Sequence, residues 1–203
     1  ATLPERGFFP KEELKSLRHI GALLQGHPCI HIPGVDMSSG SLGQGISAAC
    51  GMALAAQMDS AAYKVYTILG DGEIEEGQVW EAAMAAGHYK LDNLCWIIDN
   101  NGLQIDGRCE DVIGPEPFEP KFEAFGWNVM TVDGHDYEAL HDAFEKAKEY
   151  KGKPTCIIAK TIKGKGVSFM EGNADWHGKA PNDEEFAIAM ADLEKVGEAL
   201  CQK

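Results

Sequence analysis

The chemistry in this chain centres on one carboxylate, one carboxamide and the glycines beside them. An apolar run at 65–69 stops at Gly70-Asp71-Gly72, and a second at 94–98 stops at Asp99-Asn100-Asn101. Asp71 can give a charged oxygen and Asn101 a neutral amide oxygen. Mg²⁺ takes hard oxygen ligands in an octahedron at ~2.1 Å and commonly shares them with phosphate oxygens. Gly72 lets backbone approach closely, and a helix that follows it offers free N–H groups to an anion. The implied chemistry is cation-bridged diphosphate binding. Asp-Gly by itself is a turn signal. The specificity comes from two strand ends that each finish in an oxygen ligand, on either side of a segment of helical length.

Those residues meet only if the chain between them is β-α-β. In an open parallel sheet, ligands sit off the carboxyl ends of the strands. The pattern predicts strands at 65–69, 94–98, 127–132 and 156–159, the second apolar at every position as a strand covered on both faces is. Helices are expected at 10–24, 46–59, 78–89, 136–148 and 183–200, with apolar stripes such as Leu14, Leu17, Ile20 and Leu24 in the first. Loops rich in Gly, Ser and Pro fill 25–45, and another long loop fills 161–181. Strands alternating with helices give an α/β fold with a parallel sheet.

Bulk properties narrow the class. The 203 residues suffice for one domain with a proper core. A formal net charge of −14 argues against nucleic acid and anionic membrane as electrostatic partners. Six cysteines form no Cys-x-x-Cys pair, so a disulfide framework or zinc site is not expected and the cytoplasm is favoured. No apolar run approaches membrane-spanning length. Other motifs fail. The 70–75 stretch lacks the third Gly of a dinucleotide fingerprint, and as an EF-hand it has Glu76 where Gly is required.

Gly-Asp-Gly, twenty-seven residues, then Asn-Asn resembles the thiamine diphosphate motif. The flanking text, MSSGSLGQGISAACGMALA before and IDGRCEDV after, resembles transketolase, and the similarity runs nearly end to end, from ERGFFPKEEL to DWHGKAPNDEE. It is nearest in kind to the N-terminal subunit of transketolases split into two chains. The resemblance implies a three-layer thiamine diphosphate-binding fold, helices on both faces of a parallel sheet, with 1–203 as a single pyrophosphate-binding domain. The chain opens on Ala1, and the family's segment preceding that point is expected to be missing.

The resemblance also assigns roles. Asp71, the Asn101 side chain and the Leu103 carbonyl ligate Mg²⁺, for which Ca²⁺ or Mn²⁺ can substitute. Gly40, Ser41 and Leu42 lie along the cofactor, Gly72 lies at its diphosphate, and Ile105 packs on its rings, although a core Ile is an equal reading of the sequence. Ser41 stands where many transketolases have Pro. His27 contacts the donor substrate. His177 contacts diphosphate and exchanges protons with the substrate oxygen, which imidazole can do near neutrality. Glu76 and Glu81 match residues of an interface carboxylate network, or form a solvated acidic first turn.

The implied reaction is transfer of a two-carbon ketol unit from a ketose phosphate to an aldose phosphate. It needs a partner, a C-terminal transketolase subunit carrying the pyrimidine-binding domain, in a dimer or heterotetramer. The alternatives are another thiamine diphosphate ketol or acyl transferase, such as 1-deoxyxylulose-phosphate synthase, and a non-catalytic interaction fragment.

Overall fold

The structure is a computed structural model that describes residues 1–201. A helical turn α1 (Thr2–Glu5) and a 3₁₀ segment (Lys11–Ser16) open the chain. Then follow α2 (Gln44–Met58), β1 (Val65–Gly70), α3 (Gly77–His88) and β2 (Leu94–Asn100). A small hairpin, β3 (Leu103–Gln104) with β4 (Gly107–Arg108), leads into short helices α4 (Cys109–Val112) and α5 (Glu119–Ala124). β5 (Asn128–Asp133), α6 (Tyr137–Glu149), β6 (Thr155–Lys160) and α7 (Asp183–Cys201) complete it.

The main sheet is parallel throughout, in the order β1-β2-β6-β5. Its register aligns Gly70 with Asp99 and Asn100 with Lys160, so the carboxyl ends of three strands finish level. Side-chain alternation explains how apolar runs can serve two faces. Leu94, Trp96, Ile98, Cys156 and Ile158 join the larger core, built with α2, α3 and α5. Cys95 and Ile157 point the other way, into a second core with Ala143 and Ala147 of α6. Helices therefore cover both faces, as the α/β reading expects. Trp96, Phe122 and Trp127 pack mutually at 4.5–6.0 Å between ring centroids, and the Trp127 indole donates to the Ala83 carbonyl at 2.9 Å. Asp136 caps α6 by accepting from the Glu138 and Ala139 amides.

The expected helix at 10–24 does not form beyond Ser16. Arg18 and Gly21 adopt φ of 65° and 81°, outside helical space. The apolar stripe finds no sheet to lie on. Leu14, Leu17 and Ile20 are exposed, and Leu14, Leu17 and Leu24 line a pocket with Phe9, Ile32 and Val35. Among the described residues no helix is long and apolar enough to cross a membrane.

Candidate functional site

β1 ends at Gly70, and Asp71 follows directly at the carboxyl rim of the sheet. Its side chain accepts from the Gly72 amide, which opens a 3₁₀ turn over Gly72–Glu75 ahead of α3. Asp71 is only 2% exposed. A buried carboxylate must be compensated, and this one has four donors. Oδ1 takes the Gly72 N–H at 2.9 Å and the Cys109 thiol at 3.6 Å; Oδ2 takes the Asn100 amide at 3.1 Å and the Gly102 N–H at 2.5 Å. Burial, then the charge of Asp71, pushes the Cys109 thiol up to about 12, so it stays protonated and can donate.

The segment after β2 thus folds back onto the residue after β1. Asn101 is half-buried there. Its Oδ1 accepts from the Leu103 N–H at 3.1 Å and its Nδ2 donates to Asp99 at 3.3 Å, which shapes the turn that presents Gly102. Leu103 is half-buried and pairs with Arg108 in the hairpin. Gly72 must be glycine here, because a Cβ would lie 2.8 Å from the Gln104 side chain.

The residue whose side chain contacts Asp71 is Asn100. Buried at 5% exposure, it donates to both Asp71 and Glu116, at 3.1 and 2.8 Å, and accepts from Lys160. Sequence reasoning singled out none of Asn100, Cys109 and Glu116. The level strand ends were the available signal, since Asn100 and Lys160 close neighbouring strands. Asp71, Asn100, Cys109 and Glu116 line a cavity of about 450 Å³ with Arg108 and Phe118.

The other expected residues fall at three places. Gly40, Ser41 and Leu42 are exposed in the loop before α2, and the His27 ring covers Gly40, where a Cβ would sit 2.3 Å from the imidazole. Gly40, Ser41 and His27 line one pocket with Gln44 and Gly45 at the start of α2. His177 is exposed at the end of a 3₁₀ turn, Ala174–Trp176, in the loop that leaves β6. Among the described residues neither histidine hydrogen-bonds to the Asp71 rim. Ile105 is 70% exposed, so the core reading of that residue is excluded. The β6 loop is fixed at its root: the Thr161 N–H donates to the Asn100 carbonyl at 3.1 Å, its hydroxyl donates to Asp99, and His135 accepts from the Ile162 N–H at 2.8 Å.

Residues 7–195 match the family described as transketolase, thiamine diphosphate binding domain. The chain belongs to the transketolase family. It is 48% identical to a 6-deoxy-6-sulfo-D-fructose transketolase subunit from a Clostridium strain, over 97% of this chain and 72% of that protein. It is 44% identical to an apulose-4-phosphate transketolase subunit of Phocaeicola vulgatus, over 98% and 71%. The crystal structure of Campylobacter jejuni transketolase superposes with a TM-score of 0.83 at 38% identity, over 88% of this chain but 29% of that one. The chain thus spans most of the transketolases named as subunits and under a third of the long one. It is the thiamine diphosphate-binding part of a transketolase, a transferase, and the subunit naming of its relatives implies a second subunit.

Asp71, Asn101 and Leu103 are the residues here that could offer a divalent ion oxygen ligands. No group of three His, Cys, Asp or Glu side chains capable of holding a metal occurs among the described residues. One carboxylate, one amide and one main-chain carbonyl are hard oxygens that leave coordination positions for phosphate and water.

Proposed function

We propose that this chain, with a C-terminal subunit carrying the pyrimidine-binding domain, transfers a two-carbon ketol unit from a ketose phosphate to an aldose phosphate. The observation that carries the reading is the loop after β2 closed on Asp71, with the Gly102 N–H 2.5 Å from its carboxylate. That closure supports a rim shared by the oxygens of the two strand ends. Asp71, the Asn101 amide oxygen and the Leu103 carbonyl would hold Mg²⁺, or Ca²⁺ or Mn²⁺ in its place. Gly72 would leave room for the diphosphate. Gly40, Ser41, Leu42 and Ile105 would line the rings; the exposure of Leu42 and Ile105, 59% and 70%, supports surfaces that await a ligand. When bound, thiamine diphosphate supplies the carbon nucleophile and the electron sink of ketol transfer. His27 would orient the donor sugar, and His177 would meet diphosphate and move a proton at the substrate oxygen. Two relatives are named for a sulfo-sugar and for a sugar phosphate. A ketose with an anionic tail is the substrate class they share. A cytoplasmic heterotetramer working in pentose phosphate metabolism is the corresponding assembly.

Titration calorimetry with thiamine diphosphate, with and without Mg²⁺, tests the site. Binding that depends on Mg²⁺ and disappears in Asp71→Ala is expected. Equal binding by Asp71→Ala would remove that residue from the metal. Ketol transfer only in the presence of the second subunit is the expected result of the activity assay.

A further inference from the structure

We propose that Glu73 is a positioning residue, which ties the Gly40–Gly43 loop to the Asp71 turn and so sets both sides of the cofactor cradle before the cofactor arrives. The proposal rests on the site reading above. Glu73 lies in the 3₁₀ turn, two residues beyond Asp71, and is half-buried. Its two oxygens serve different parts of the chain. Oε1 accepts from the Gly43 N–H at 2.9 Å, and Oε2 accepts from the Gly70 N–H at 3.2 Å. Gly70 is the last residue of β1. Gly43 is the buried N-cap of α2 and ends the exposed loop of Gly40, Ser41 and Leu42. One carboxylate therefore joins the sheet rim to a loop thirty residues away in sequence.

The loop's flanks are held by the Ser39 N–H on the Pro28 carbonyl at 3.4 Å and the Gln44 side-chain amide on the Gln78 side chain at 2.6 Å, but within the loop little else holds it. His27 lies over Gly40, and the Gln44 N–H donates to the Ser41 carbonyl at 3.2 Å. Gly43 has φ 78° and meets the turn closely, since a Cβ there would lie 3.0 Å from the Glu76 Cβ. Charge-assisted bonds to main-chain N–H groups are among the stronger hydrogen bonds. No lysine or arginine pairs with Glu73 among the described residues, so main-chain amides alone compensate it. A negative charge beside a diphosphate site opposes the ligand. The same charge attracts a divalent cation, but both Glu73 oxygens are engaged by main-chain amides, so the use argued for it is to fix geometry. Ordering a loop before binding removes that cost from the binding step.

The test uses the assembled enzyme with Glu73→Ala and the near-isosteric Glu73→Gln, which keeps one acceptor and the shape. Three quantities are read: the Kd for thiamine diphosphate at fixed Mg²⁺, kcat at saturating cofactor, and hydrogen exchange of the Gly43 amide in cofactor-free protein. We expect Kd to rise about tenfold in Glu73→Ala and less in Glu73→Gln. Gly43 exchange should accelerate in the same order, with kcat near wild type. Faster Gly43 exchange with unchanged Kd would reduce Glu73 to a structural tie. Tighter binding by Glu73→Gln would show that charge matters more than position, and would also overturn the proposal. Wild-type protein that fails to bind thiamine diphosphate would bring down the site reading and this proposal together. Wild type that binds while both variants match it brings down this proposal alone.

Discussion

Asp71 carries two demands that mutation can separate. As a fold element it satisfies four donors, of which Asn100 and Cys109 are buried, and removing it leaves them and the Gly72 and Gly102 N–H groups without this acceptor. A buried donor left unpaired costs about 1–3 kcal/mol, so Asp71→Ala should lower the unfolding free energy as well as cofactor affinity. Asp71→Asn keeps one acceptor oxygen and much of the shape. It should lose less stability, measured by denaturant unfolding, while still losing Mg²⁺-dependent binding. His177 makes the opposite case. It is exposed, so His177→Ala should change stability by less than about 0.5 kcal/mol yet slow turnover of the assembled enzyme; a normal rate would remove it from the reaction. At this scale the sequence located the rim but not its wiring. Asn100 and Asn101 are adjacent and chemically identical. Which one turns inward depends on the pleat of the last residue of β2, and a strand apolar at each position from 94 to 98 hides that parity.

Among the elements, the four long strands and the helices between them were legible to within a residue or two, because each carries an apolar run or stripe long enough to register. The short pieces were not. The hairpin at 103–108 and helices α4 and α5 are too brief for periodicity to register. The segment at 10–24 misled in the other direction, since its stripe is real but has nothing to pack on. Helix α3 offers a test of packing against propensity. Gly87→Ala gains about 1 kcal/mol of helix propensity. The new Cβ would lie 1.9 Å from the Phe125 carbonyl oxygen, a contact that backbone alone can relieve. Overpacking costs of about 1–3 kcal/mol or more should win, and thermal unfolding should show a lower midpoint. The core thiols give a pH test. Burial raises Cys50 to about 11 and Cys95 to about 12 from an ordinary value of 9.0. Raised values mean that their stabilisation is whole below pH 9.0 and is lost as pH climbs through 11–12. Urea midpoints should fall between pH 8 and pH 10.5, and Cys95→Ala should flatten part of that fall.

Over the whole molecule, the strand order governs when the site can exist. β6 lies between β2 and β5, so the last of these four strands to be made enters the middle of the sheet. Lys160 and Thr161 then lock onto Asn100 and Asp99 from sixty residues away. Such distant closures are slow, because loop entropy is lost before the contacts form. During synthesis, the Asp71 rim must wait for Thr155–Lys160 to leave the ribosome. Until then β2 and β5 present bare edges to the crowded cell, and nascent chains halted there should need chaperones most.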